Sequence, residues 1–255
     1  MSNDINLNQK LEDKKLEDKK KHINPIKPIY SKNSSAIESI IDTIIPLIDE
    51  LRLNPNLEFE GSLGILGDSF TSGVNFQYFK SIIEAFNSDI PIWSETKPKH
   101  HFVTNYFKNK IRGRYTVINK AEFVKKSTSC KIDLHCNERS YDIRLSLREE
   151  KPINIVIKEI PELVRIHERW SFIYKNHWRY DISKIASGAS KELACQSQPI
   201  YEIELEIIRT ILDSDKSNEE IARSFVEKLI DLLGRFDINN NILPLDLNIG
   251  TIWNQ

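Results

Sequence analysis

From residue 201 to residue 206 the chain reads YEIELE, in which Glu202, Glu204 and Glu206 alternate with Ile203, Leu205 and Ile207. Alternation with a period of two marks a strand whose successive side chains point to opposite faces, so the three carboxylates share one side. The same pattern recurs in NLEFEGSLGIL, where Glu58 and Glu60 lie two apart, and in DIRLSLREE, where Arg144, Ser146, Arg148 and Glu150 share a parity. In VRIHERWSF, Arg165, His167, Arg169 and Ser171 fall on one face, and in WRYDISK Arg179, Asp181 and Ser183 do. Together these patterns predict a first strand around 56–66 and further strands near 112–119, 122–134, 141–149, 153–159, 163–174, 177–185 and 199–212. Eight strands are enough to close a barrel.

Helical spacing appears at three places. Ser35 opens a Ser-Ala-Ile-Glu capping box before an apolar stretch running towards Leu53, and Pro46 is expected to kink or split that helix. Residues 75–86 place Phe79, Ile82, Ile83 and Phe86 on one helical face. A second capping box, Ser217 to Glu220, starts a helix carrying Ile221, Phe225, Leu229 and Leu233, with Gly234 as its stop. These helices read as packing elements outside the strands. Gly64, Gly67 and Gly73 mark a turn-rich exit from the first strand. The expected class is α+β: an eight-stranded antiparallel barrel with helices packed outside it.

Residues 1–34 differ in character. They contain a tandem repeat, KLEDK twice from Lys10 to Lys19, and almost no aromatic side chains, so they are expected to form a disordered polar tail before a catalytic domain spanning 35–255. Lys19 to Lys21 is a candidate nuclear-import element, although a solvated charge run explains it equally. With 36 basic and 37 acidic residues the chain has no global attraction to nucleic acid, so any anion site must be a local concentration of charge. Three cysteines without metal spacing suit a reducing compartment, and with no apolar run of membrane-spanning length the protein is expected to be soluble and intracellular.

The polar faces carry the chemistry. Two strands present carboxylates and at least three present arginines, and parity alone is compatible with two arrangements. The ionisable rows are either solvated on the outside or line a water-filled interior. In the second case five carboxylates facing one space would repel, and an oxygen-binding divalent cation such as Mg²⁺ or Mn²⁺ would relieve them. Guanidinium groups opposite would grip phosphate bidentately.

Five short motifs follow one another: Glu58, Glu60 and Gly64; Arg144 and Ser146 followed by Glu150 and Pro152; Arg165, Arg169 and Ser171; Trp178, Arg179 and Asp181; and the terminal Glu202, Glu204 and Glu206. Their order resembles the RNA 5′-triphosphatases of the metal-dependent mRNA-capping type, members of the triphosphate tunnel metalloenzymes, over roughly residues 36–234. The resemblance implies an eight-stranded tunnel that hydrolyses the γ-phosphate of 5′-triphosphate RNA to a diphosphate end, the first step of capping. It implies Glu58, Glu60 and Glu206 as ligands of Mg²⁺ or Mn²⁺. Arg114, Lys126, Arg165, His167, Arg169 and Arg179 become candidate phosphate contacts, with Lys125 a rival to Lys126. Glu150 is expected to position the attacking water, in preference to Glu149 because it shares the parity of Arg144. Arg144, Asp181 and Glu204 complete the expected catalytic set. Guanylyltransferase as a partner, a homodimer and a nuclear location are further expectations of the same kind. Lys108, Lys110, Arg112 and residues 97–101 are expected on loops at the tunnel mouth, where they would hold RNA backbone.

The chain departs from the family's pattern at His167, where the family carries lysine, and in lacking a tryptophan-rich segment before the domain. Two other readings share parts of this sequence. The small-triphosphate branch of the same fold has lysine at the third place of E-x-E-x-K, where this chain has Ser62, and an inactive RNA- or partner-binding barrel would not need so costly a carboxylate cluster. His135-Cys136 begins like a cysteine phosphatase motif, but position 142 is aspartate instead of the required arginine.

Overall fold

The computed structural model describes residues 36–89, 92–116, 121–137, 139–154, 157, 159–235 and 247–254, the last segment and residue 235 by backbone course alone. The helices are α1 (Ala36–Leu53), α2 (Phe76–Ser88), α3 (Lys191–Gln196), α4 (Arg209–Leu212) and α5 (Asn218–Arg235). The strands are β1 (Leu57–Leu66), β2 (Phe70–Ser72), β3 (Trp93–Phe107), β4 (Ile111–Thr116), β5 (Ala121–Cys136), β6 (Asp142–Pro152), β7 (Leu163–Tyr174), β8 (Trp178–Gly188), β9 (Ile200–Ile207) and β10 (Leu247–Asn254). Eight of them pair in the antiparallel order β1-β9-β8-β7-β3-β4-β5-β6, and β6 returns to β1, so the sheet closes in a ring. β2 and β10 extend it beside β1 and β5.

The apolar faces of the strands point outward. Phe59 and Leu63 of β1, Leu145 and Leu147 of β6, and Ile203 and Leu205 of β9 join Ile40, Ile44 and Ile48 of α1 and Phe225, Leu229 and Leu233 of α5 in one core. Phe225 sits with its ring centroid 5.1 Å from Phe59 and 6.0 Å from Trp178, so α5 is fastened across β1 and β8. Gly61 allows this approach, because a Cβ there would lie 2.7 Å from Leu229 Cδ1. Burying the apolar face under helices leaves the alternate positions to face the interior of the ring.

Helix prediction holds at two of the three sites and in part at the third. α1 runs unbroken through Pro46, held by five buried side chains on one face, so the expected split does not occur. Its Ser35 cap lies outside the described residues, as does the polar tail. The second capping box forms as expected, with Glu220 N–H donating to Ser217 Oγ at 3.2 Å and Ser217 N–H donating to Glu220 Oε2 at 2.8 Å.

Among the strands the expected number is right but one member is not. The segment 153–159 is not a strand where it is described: after Ile153 N–H donates to Phe123 carbonyl at 2.9 Å the chain leaves the sheet, and it rejoins at Glu162, whose N–H donates to the Tyr106 carbonyl at 2.8 Å. The eighth strand is β3, in which residues 97–101 belong to a ladder with β7, not to a loop. Pro98 and a run of lysine and histidine obscure it, and register shifts at 93–95 and 97–100 break the period of two. The strand expected over 199–212 ends at Ile207, and Arg209–Leu212 turns helical. Lys108 and Lys110 lie in a single 3₁₀ turn, as loop residues should, whereas Arg112 is on β4.

Candidate active site

The ring encloses a cavity of about 450 Å³ lined almost wholly by polar side chains. Its carboxylates are Glu58 and Glu60 from β1, Glu122 from β5, Glu150 from β6, Asp181 from β8 and Glu202, Glu204 and Glu206 from β9. Its cations are Arg112 and Arg114 from β4, Lys126 and Lys131 from β5, Arg148 from β6, Arg165 and Arg169 from β7 and Arg179 from β8. The ionisable rows therefore face the interior of the ring. Every expected site residue except Arg144 lines this one space.

Sheet register explains the grouping. Glu60 is the direct partner of Glu206 across β1 and β9, while Arg179 faces Glu206 and Asp181 faces Glu204 across β8 and β9. Glu58 faces Arg148, and Lys126 faces Glu150. Side chains opposite one another in an antiparallel pair are close enough to interact directly, so the register sets up the ion pairs.

Asp181 is the best-connected group. It accepts from Arg169 Nη1 at 2.6 Å and from the Ser171 hydroxyl at 2.6 Å, and Arg179 Nε lies 3.2 Å away. Burial would raise its pKa, but Arg169 and Arg179, aided by Ser171, outweigh burial and hold the carboxyl below its ordinary value. Asp181 therefore stays ionised and fixes two guanidinium groups. Arg169 also reaches Glu204 at 3.4 Å, and Arg165 donates to Glu202 at 3.0 Å.

Glu150 sits between two cations. Arg112 Nη2 donates to it at 2.5 Å, and Lys126 donates to its other oxygen. Burial is again the largest influence and acts upward, but Lys126 and Arg112 prevail and lower the pKa. Glu149 points elsewhere, to Asn54 and Lys151, and Lys125 is exposed. Between the rival pairs, Glu150 and Lys126 are the cavity residues.

The Glu58, Glu60 and Glu206 group behaves in the opposite way. Burial, then the charge of Glu204, pushes Glu60 up to about 7 despite its ion pair with Arg148. Burial pushes Glu206 up to about 8, with Glu58, Asp181 and Glu60 adding to it against the opposing pull of Arg179. Glu58 is raised by burial and by Glu150. Among the described residues no three carboxylates are arranged around a common metal position, and Glu60 and Glu206 are paired instead with Arg148 and Arg179. The donor set nevertheless fits a hard divalent cation: three inward-facing carboxylates on two adjacent strands supply oxygen donors, and burial holds each above its ordinary pKa, so that a bound cation would favour their ionised form.

Arg144 is not in the cavity. It lies on the inward face of β6 but beyond the cavity, donating to both oxygens of buried Asp133 at 2.6 and 2.8 Å with its guanidinium 4.6 Å from the centre of the Phe70 ring. That pairing accounts for its charge structurally, so its expected catalytic place is corrected. Arg148, two turns of the pleat along, takes that place. Its parity was readable from the sequence, since it shares a face with Glu150; the motif drew attention to Arg144 instead. Arg112 lines the cavity from β4, not from a loop, and Phe102, Thr104 and Tyr106 join it from β3, whose alternation the sequence does not show.

His167 lines the cavity as expected, with its charge state now fixed. Burial foremost, then Arg169, Arg165 and Arg114, drives its pKa down to about 2. Neither ring nitrogen has a hydrogen-bond partner, and the imidazole stacks on Phe102 at 4.4 Å and 9°.

Residues 70–243 match the family described as the mRNA capping enzyme, beta chain. That match begins after β1, yet the ring brings Glu58 and Glu60 to the matched part. Similar folds are found in the RNA triphosphatase Pct1 of S. pombe (TM-score 0.65, 17% identity, covering 82% of this chain and 98% of that one) and in the same protein in complex with the Spt5 CTD (TM-score 0.64, 15% identity, 81% and 98%). The RNA triphosphatase domain of the trifunctional Mimivirus capping enzyme is also similar (TM-score 0.55, 18% identity, 81% and 99%). No curated protein matches the chain.

Proposed function

The chain belongs to the family of the mRNA capping enzyme beta chain, and from that premise we propose that its cavity removes the γ-phosphate from the 5′-triphosphate end of nascent RNA. The observation that carries this reading is the closed ring whose interior sets eight cationic side chains against eight carboxylates. A triphosphate needs several guanidinium and ammonium groups around it, and a phosphoryl transfer asks the protein chiefly for positioning and charge neutralisation.

In this reading Arg165, Arg169, Arg179, Arg114 and Lys126 hold phosphate oxygens, and Asp181 keeps Arg169 and Arg179 aimed inward. Arg148 is the further cation, in the place first expected of Arg144. His167 contributes a neutral ring. Glu150 orients a water molecule that attacks the γ-phosphorus; the bond from that phosphorus to the bridging oxygen breaks, giving inorganic phosphate and a diphosphate end. Glu150 remains ionised between Arg112 and Lys126, the form in which a carboxylate accepts a hydrogen bond from water.

Glu58, Glu60 and Glu206 would hold Mg²⁺ or Mn²⁺, with Glu202 and Glu204 completing the acidic wall. Such an ion, when bound, supplies Lewis-acid polarisation of a phosphoryl oxygen. Acting on nascent transcripts implies a nuclear location and cooperation with a guanylyltransferase, which consumes the diphosphate end. Assembly as a homodimer is proposed on family grounds alone.

The test is γ-phosphate release from triphosphate-ended RNA with and without Mg²⁺. Release of one phosphate, leaving a diphosphate end, is expected only with the metal. Release of pyrophosphate, or no release with either Mg²⁺ or Mn²⁺, would sink the assignment.

A further inference from the structure

A triphosphate held in the cavity leaves its first nucleoside outside, at a mouth of the ring. One inward-facing position on β3 lies at such an edge. His100 pairs with Arg169 in the β3–β7 register, just as Phe102 pairs with His167, so its ring belongs to the cavity face of the strand. Unlike the buried Phe102 and His167, it is only partly covered.

The three rings form a continuous column. His167 stacks on Phe102 at 4.4 Å and 9°, and His100 stacks on Phe102 at 5.6 Å and 21°. Arg114 and Arg169 lie 5.0 and 5.4 Å from the Phe102 ring centre, which locks the middle of the column between phosphate-binding guanidinium groups. Burial, the largest cause, together with the charge of Arg169 lowers the His100 pKa, so the outermost ring is a neutral aromatic face at neutral pH. Next to it, Lys97 lies opposite Ser171 with a side-chain exposure of 54%, whereas Lys99 turns to the outer face, 3.5 Å from Glu168 and over the Trp170 ring.

We propose that His100 is a stacking platform for the nucleobase of the substrate's first nucleotide, which places the RNA-entry mouth of the tunnel at the His100 end of β3. The proposal rests on the triphosphatase reading above for the position of the phosphates. Stacking is tolerant of base identity, because every base presents a π face, so the platform separates nucleotides from inorganic triphosphate without choosing a sequence. Lys97, opposite the inward-facing Ser171, is placed to meet the backbone phosphates that follow.

The experiment compares wild type with His100→Leu, which keeps bulk but removes the aromatic face, and His100→Trp, which enlarges that face. For each protein the ratio of kcat/KM for ATP to kcat/KM for inorganic tripolyphosphate is measured. The ratio is expected to fall about tenfold in His100→Leu, the scale of one base–aromatic stack, and to be kept or raised in His100→Trp. A second readout needs no turnover: 2-aminopurine riboside triphosphate in chelator should be quenched by wild type and His100→Trp and stay bright with His100→Leu.

Equal ratios and equal quenching in all three proteins would overturn the platform. So would a parallel loss on both substrates, which would mark His100 as a packing residue. If wild type hydrolyses neither substrate with Mg²⁺ or Mn²⁺, the functional reading fails instead, and the quenching measurement still decides whether a base stacks on His100.

Discussion

Glu60 and Glu206 lie directly opposite one another on β1 and β9, a buried carboxylate and a half-buried one in a single cross-strand pair. Like charges in that position destabilise a sheet, and each group is raised far above the ordinary carboxylate range. The repulsion is built into the ring, since the register that buries Phe59 and Leu205 outside turns both glutamates inward. Glu60→Gln or Glu206→Gln is therefore expected to leave the metal-free protein as stable as wild type or more so, while lowering γ-phosphate release on the order of a hundredfold or more. Melting temperature in chelator and phosphate release in Mg²⁺ check the two halves separately; retained activity would remove these residues from the site.

Arg148 and Arg144 are four residues apart on one face but have different neighbours. Arg148→Ala should cost turnover, because it removes a cavity cation paired with Glu60. Arg144→Ala should chiefly cost stability, about 3–5 kcal/mol, because it strands the buried Asp133 carboxylate. Urea denaturation and steady-state kinetics on both variants distinguish the two roles, and a turnover defect confined to Arg144→Ala would reverse the assignment.

His167 gives a stability change with pH whose sign is fixed by its lowered pKa. A histidine held at about 2 in the folded chain and near 6.5 when unfolded is protonated first in the unfolded chain. Its contribution is present above about pH 6.5 and is lost as pH falls from there towards 2. At pH 5 the loss amounts to roughly 2 kcal/mol. His167→Gln should flatten the pH dependence of unfolding between pH 7 and 5; an unchanged slope would show that the ring is solvated. Because the imidazole is already neutral at working pH, no fall in activity through an imidazole pKa is expected from this residue. His167→Lys, the residue typical of the family, would bring a charge among three arginines and should bind triphosphate more tightly.

Gly61 links the site to the helical layer. Gly61→Ala would drive a methyl group into Leu229 of α5, and overpacking of this kind costs about 1–3 kcal/mol. Since Glu60 and Ser62 flank it, the same variant should also shift metal dependence if β1 moves. A wild-type melting temperature would mean that α5 is free to withdraw.

Selection of RNA over free nucleotide should depend on salt. Backbone phosphates held by exposed lysines contribute sequence-independent, screened attraction. Triphosphate-ended RNA should outcompete ATP in Mg²⁺ at low salt, with the advantage shrinking as salt rises. If ATP or inorganic triphosphate wins at low salt, the small-triphosphate branch becomes the better assignment.

The sequence by itself determined which residues share a face. A strand's period of two is local, so the acidic rows at Glu58 and Glu202 and the basic rows at Arg144, Arg165 and Arg179 could be read without any knowledge of their neighbours. Residues 97–101 could not be read this way, because the bulges and Pro98 that shape β3 to the ring also erase its alternation. Which face turns inward was also beyond local pattern. It follows from α1, α2 and α5 covering the apolar side, a choice made by packing between segments far apart in the chain. Pairing was decided at the same level. Register across β5 and β6 set Glu150 against Lys126, and at the far end of the same ladder set Arg144 against Asp133, outside the cavity. His167 took its charge state foremost from burial, then from Arg169 and Arg165 on its own strand and from Arg114 on β4; the flanking arginines are legible locally, but the burial and the cross-strand charge are not. Periodicity is a property of one strand, whereas pKa, ion pairing and the enclosed volume belong to the closed sheet, so only the tertiary structure could decide them.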